Sequence, residues 1–181
     1  MTPQAYSYPT VGPDNKIYVP PYGLNSELDK LLIIDPVTYE IEVIQLTLNG
    51  TLEKYTHGIV IGTNIYWIPY GECRVLVFDT VNKKHSYISI PKLPESLRNC
   101  KGKFVMGHVY NNKIYSLPYG ESMPLDYILV VDLLHGTADL IRIDNVPNTD
   151  CKKWHQSVLR GNKIIAVPRG ERRENTFNHS I

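Results

Sequence analysis

The stretch Thr63-Asn64-Ile65-Tyr66-Trp67-Ile68-Pro69-Tyr70-Gly71-Glu72 exists in four versions along a chain of 181 residues. The others are Asn15-Lys16-Ile17-Tyr18-Val19-Pro20-Pro21-Tyr22-Gly23, Asn112-Lys113-Ile114-Tyr115-Ser116-Leu117-Pro118-Tyr119-Gly120-Glu121 and Asn162-Lys163-Ile164-Ile165-Ala166-Val167-Pro168-Arg169-Gly170-Glu171. They align without a gap over nine residues, and their starts lie 48, 49 and 50 residues apart. A fixed period of that size signals one supersecondary unit stacked on copies of itself, each unable to bury its apolar face alone. Each copy is rich in β-branched and aromatic residues and closes on a Pro-x-Gly breaker, so each reads as a strand.

Outward from each copy the order is constant. A short strand precedes it, as in His57-Gly58-Ile59-Val60-Ile61. An apolar run without alternation follows, ending in aspartate: Leu31 to Asp35, Val75 to Asp79 and Tyr127 to Asp132. Such runs suit a strand buried on both faces. An alternating, half-exposed strand closes the unit, as in Ile41 to Leu46 and His85 to Ile90. No segment sustains a 3.6-residue apolar period, so essentially no helix is expected. Four short strands per unit form an antiparallel meander, and meanders stacked radially bury both faces as propeller blades. The expectation is all-β, with about three and a half blades in one domain over 1–181. Blade 1 covers 6–46, blade 2 covers 55–90, blade 3 covers 104–143 and a half blade covers 154–170. The polar stretch 171–181 reads as a tail without a third or fourth strand.

The order strand, Asn-Lys-Ile-Tyr, apolar run ending in Ile-Asp-Pro, alternating strand resembles the YVTN-type and NHL-like β-propeller repeats. Ile33-Ile34-Asp35-Pro36-Val37-Thr38 and Val77-Phe78-Asp79-Thr80 look like that family's third strand and turn. Val11-Gly12-Pro13-Asp14-Asn15-Lys16-Ile17-Tyr18 looks like its first hairpin. The resemblance covers roughly residues 6–170, while Pro-Tyr-Gly at the end of the second strand departs from it. It implies an architecture rather than an activity, since propellers host many chemistries. The smallest closed propellers have about four blades. The blade count is therefore compatible with a fragment of a longer propeller, an arc completed by a second chain, or a small ring with an incomplete last blade.

Bulk properties narrow the function classes. Eighteen acids against nineteen bases give no field that favours nucleic acid or anionic membrane. No run approaches the roughly 20 apolar residues of a membrane span. Three cysteines form no closed disulfide set, and Met1-Thr2-Pro3-Gln4-Ala5-Tyr6 lacks a basic region followed by an apolar run. A cytoplasmic location is expected.

By analogy with the family, the loops after the second and fourth strands share the ligand face. Three columns fall there. Glu72, Glu121 and Glu171 follow the repeated glycine and form either a ring for a cation or basic peptide, or turn caps. Lys54-Tyr55, Lys103-Phe104 and Lys153-Trp154 enter the first strands. Tyr55, Phe104 and Trp154 read either as partner anchors or as wedges between blades; the lysines read as solvated. His57, His108 and His155, with Cys73, Cys100 and Cys151, are the residue types that bind zinc. They stand at unequal positions in their units and show no Cys-x-x-Cys spacing, so His57 and His108 are only a weak alternative metal pair. Ser122 and Ser157 lack a nucleophile-elbow context, and no glycine-rich phosphate loop exists. The expectation is a non-enzymatic interaction module for a protein or peptide partner, without cofactor, nucleic acid or membrane, and able to complete its ring by self-association. The alternative is a ring-centre enzyme, lactonase- or lyase-like, using the glutamates with His57 or His108 around a divalent ion.

Overall fold

The computed structural model describes residues 6–23, 28–48, 53–98, 100–122, 124–143, 154–168 and 177–180. It is built of four antiparallel sheets, each a meander of sequential strands. Blade 1 contains β1 (Thr10–Val11), β2 (Ile17–Val19), β3 (Lys30–Ile34) and β4 (Ile41–Gln45). Blade 2 contains β5 (Tyr55–Ile61), β6 (Asn64–Pro69), β7 (Arg74–Asp79) and β8 (Lys84–Ser89). Blade 3 contains β9 (Phe104–Tyr110), β10 (Lys113–Pro118), β11 (Tyr127–Asp132) and β12 (Thr137–Arg142). Blade 4 contains β13 (Trp154–Arg160), β14 (Lys163–Pro168) and β15 (Phe177–Ser180). The repeated stretch is the second strand of every blade, and the chain is a partial β-propeller.

Two local readings change. The stretch 171–181 is not without a third strand: β15 pairs antiparallel with β14 through Lys163↔Ser180 to Ala166↔Phe177. Backbone donors along β14 thereby find acceptors on that side, which a polar composition does not forbid. The loop between blades 2 and 3 holds one helical turn, α1 (Glu95–Arg98), fastened by a Glu95–Arg98 ion pair of 2.9 Å and a buried Leu97. One turn is too short to give an apolar period in the sequence.

The turns explain the recurrent aspartates. Asp79 and Asp132 end their third strands and Asp35 directly follows its own, and each accepts backbone N–H bonds from two and three residues ahead. Those donors replace the ladder that the chain leaves, and they hold the Asp35 and Asp132 carboxyls below their usual range. At Asp79, also held low, the Asn82 side-chain amide is the larger cause, with the backbone donors beside it.

Between blades the core forms three layers. Tyr18, Leu31 and Ile33 of blade 1 pack against Tyr55, Ile65, Trp67, Leu76 and Phe78 of blade 2. Ile68 and Val75 of blade 2 meet Phe104, Ile114, Leu129 and Val131 of blade 3. Tyr115, Leu117, Ile128 and Val130 of blade 3 meet Trp154, Ile164 and Ala166 of blade 4. Directly opposed residues on neighbouring strands share a face. Every joint therefore pairs the same two surfaces, the back of one blade with the front of the next.

Candidate interaction surfaces

The end of the repeated stretch is a hub. The Lys54 carbonyl accepts the N–H groups of Tyr70 (2.8 Å), Gly71 (3.3 Å) and Glu72 (3.4 Å) within blade 2. One blade on, the Lys103 N–H donates to Tyr70 O (2.8 Å) and its ammonium donates to Gly71 O (2.8 Å) and to the Cys100 carbonyl. The Lys54 ammonium does the same to Gly23 O of blade 1 (2.5 Å) and pairs with Asp29 (2.9 Å). Both lysines are thus buried clips between blades, not solvated residues. Lysine is seldom fully buried unless paired, and only the cross-blade register supplies these carbonyls. Burial pushes the Lys103 ammonium below its ordinary range.

The aromatic column sits in the core. Tyr55, Phe104 and Trp154 are all buried. They fill the joints as wedges, beyond the reach of a partner in solvent. Lys153 lies outside the described residues.

The two described glutamates of the column have different partners. Glu72 is buried; its Oε1 accepts the Cys73 N–H at 2.9 Å and lies 3.5 Å from Arg74 Nε, so it caps its own turn. Glu121 accepts the Tyr70 hydroxyl and lies 3.8 Å from Lys101, which is also 3.8 Å from Glu53. Glu171 lies outside the described residues. The sequence alone did not point to Lys101 and Glu53. They flank a ladder of the repeated tyrosines: Tyr22 and Tyr70 have ring centroids 6.0 Å apart, as do Tyr70 and Tyr119. Burial, helped by the neighbouring carboxylates, pushes the Tyr22 and Tyr70 hydroxyls above the usual phenol range. The cluster is closely satisfied within itself, which favours a rigid rim.

The histidines part company. His57 packs at a tilt against Tyr8, with ring centroids 4.3 Å apart. His108 Nε2 lies 2.7 Å from Ser157 Oγ, and burial lowers the basicity of its ring. The side chain of His155 and all of Cys151 lie outside the described residues. The Cys73 and Cys100 thiols donate to the Arg98 and Ser96 carbonyls. Among the described residues no group of three His, Cys, Asp or Glu side chains is placed to hold a metal ion.

His108 and Ser157 belong to a column that sequence alignment missed. The back of each inner strand meets a small residue on the next. Thr10 Oγ1 accepts the Gly58 N–H at 3.2 Å, the Ile59 methyl covers Gly107, and His108 meets Ser157. A Cβ on Gly107 would collide with Ile59 and Ile114, and Ile68 would stand 3.6 Å away. The next member of the column is Val158 on the back of blade 4, and it is exposed.

That exposure belongs to a larger surface. On the back of blade 4, Val167 takes the position that Ile68 and Leu117 hold in blades 2 and 3. Those two are buried, whereas Val167 is 61% exposed and Val158 is 60% exposed. On the front of blade 1, register groups Ile17, Val19, Leu32, Ile34, Ile41 and Val43. Their counterparts Ile65, Leu76 and Phe78 in blade 2 and Ile114, Leu129 and Val131 in blade 3 are fully buried. Leu32 and Ile34 are half-buried, Ile41 is 62% exposed and Val43 is 51% exposed. The four blades form an arc with an apolar patch on the open face at each end.

No protein-family model and no curated protein sequence matches the chain. Solved structures share its fold. Hydrazine synthase of Kuenenia stuttgartiensis aligns with a TM-score of 0.62 at 13% identity, over 98% of this chain and 46% of that one. A proposed 6-phosphogluconolactonase from Bacteroides uniformis aligns with a TM-score of 0.57 at 13% identity, over 96% and 53%. The computationally designed Ika8 protein aligns with a TM-score of 0.55 at 10% identity, over 93% and 45%. The chain spans about half the length of these three structures. At such identities the likeness is one of fold. No helix among the described residues is long and apolar enough to cross a membrane.

Proposed function

We infer that the chain is a non-enzymatic β-propeller interaction module that binds a protein partner through its terminal blade faces. The observation behind this reading is the pair of apolar faces at the ends of the arc, where residues equivalent to fully buried ones stand in solvent. Soluble proteins seldom leave large contiguous apolar faces uncovered, and those they do leave mark interaction sites. Glu72, Glu121 and His108, first considered for a ring-centre enzyme, have partners within the fold that support this reading. Glu72 caps a turn, Glu121 holds Tyr70, and His108 fills a joint.

Affinity capture tests this. A protein held by the unaltered chain should be lost by an Ile41→Lys/Val43→Lys variant and by a Val158→Glu/Val167→Glu variant. All four positions are exposed, so each variant should keep the far-ultraviolet spectrum of the parent. Equal capture by parent and both variants would place the binding elsewhere and defeat the reading.

A further inference from the structure

We propose that the partner is a second copy of this chain, and that two copies close head to tail into an eight-bladed ring about a two-fold axis. This rests on the reading just given and names its partner. The argument begins with which surfaces are open. Each internal joint pairs a blade back with the next blade front. The arc leaves one back, carrying Val158, Ile165 and Val167, and one front, carrying Ile17, Leu32, Ile34, Ile41 and Val43. These are the two halves of the joint that already occurs three times within the chain.

Two unlike surfaces on one molecule make a heterologous contact, which yields either a closed ring or an open fibre. Curvature decides between them. The arc superimposes on structures about twice its length while occupying 45–53% of each. The same fold thus extends over about half of chains roughly twice as long, and a ring of two arcs has that length ratio. Two copies bury both open faces of both chains and leave none over.

The contact is also chemically matched. Around Gly107 in the joint of blades 2 and 3, Ile68 from one side meets Ile114 from the other. Their counterparts at the open ends are Val167 and Ile17. Ile165 stands where Tyr18 and Tyr115 wedge into their joints. On the back of blade 4 the aliphatic patch of Val158, Ile165 and Val167 is flanked by Gln156 on one side and by Arg160 and Lys163 on the other. On the front of blade 1 the patch of Ile17, Leu32, Ile34, Ile41 and Val43 is aliphatic, with Lys30 and Gln45 at its edge, so the two central patches themselves bring no acid or base into the contact.

The test is the mass of the full chain in solution, by light scattering or sedimentation across the micromolar range. The parent should have the mass of two chains. Ile41→Lys/Val43→Lys and Val158→Glu/Val167→Glu should each weaken self-association about a hundredfold or more, since each sets two charges against the aliphatic patch opposite. Each variant alone should then run as one chain with unchanged circular dichroism. Mixing the two should restore a two-chain particle, because one joint of the mixed ring is native and the other sets lysines against glutamates. A face-to-face dimer through blade 1 alone would leave the Val158→Glu/Val167→Glu variant paired, and that result would overturn the proposal. So would a mass that climbs beyond two chains with concentration, or a mixture that stays monomeric. A monomeric parent that binds an apolar fluorescent dye would overturn self-pairing while leaving the partner reading intact. A monomeric parent that leaves the dye dark would overturn both.

Discussion

The third strands of blades 1 and 3 are equally apolar and differently buried. In β11, Ile128, Leu129, Val130 and Val131 are all buried, because blade 2 covers one face and blade 4 the other. In β3, Leu31 and Ile33 are buried against blade 2, while Leu32 and Ile34 on the opposite face are half-exposed. A strand with one face in water ordinarily alternates apolar with polar, and a strand covered on both faces does not. The sequence of β3 is that of the second kind in the setting of the first. Composition in this region is suited to a burial that the single chain does not provide.

The largest effect that could sharpen this contrast lies at a closed joint. Lys54→Met should remove the cation from a carboxylate held in the joint of blades 1 and 2, costing about 3–5 kcal/mol in denaturant unfolding. Lys103→Met removes a donor from two carbonyls without stranding a charge, so about 1–3 kcal/mol is expected. If Lys54→Met proved the milder of the two, the Asp29 pair would not be the stronger clip.

Next comes the equivalent pair of leucines. Leu129→Ala should cost about 2–5 kcal/mol, as for a buried leucine in a packed core. Leu32→Ala, measured on dilute single chains, should cost clearly less, because half of its surface is already wet. Equal losses at low concentration would mean that the front of blade 1 is covered within one chain, and the comparison would collapse.

A smaller effect separates the joints by pH. Burial lowers the affinity of the His108 ring for a proton in the folded chain. On acidification the unfolded chain therefore takes up that proton first, near its ordinary value of about 6.5. The contribution of neutral His108 is present above that value and is lost as pH falls toward the depressed folded value. Thermal unfolding should shift downward across this window, and His108→Val should flatten the shift. A midpoint that rises on acidification there would contradict the sign. The lowest-pH limb belongs to Asp35, Asp79 and Asp132. Their folded values are depressed, so their turn contribution is present above about 4 and fades as pH falls through the folded values.

The repeat made the blades legible because it set strand order and turn chemistry locally, through Pro-Tyr-Gly and the third-strand aspartates. Much of the site was not legible, because it depends on which residue of one blade faces which of the next. Lys54 and Lys103 read as solvated from their type, yet their ammonium groups end on carbonyls 31 and 32 residues away. The column of Thr10, Ile59, His108 and Val158 escaped because Thr10 pairs with Tyr18 across a turn one residue longer than the one that joins Ile59 to Tyr66. A gapless alignment of the repeated stretch therefore shifts the first strand by one position, and one position changes the face. The open faces were suggested only by counting blades; register was needed to name their residues.

The most direct test is hydroxyl-radical footprinting of the full chain, reading Leu32, Ile34, Val158 and Val167 against internal Leu76 and Leu129 and against exposed Val37 and Tyr39. At concentrations where the chain is paired, the first four should be labelled as weakly as the internal leucines, and on dilution they should approach the exposed pair. Strong labelling of those four at every concentration would contradict the claim that the ends of the arc are halves of one joint.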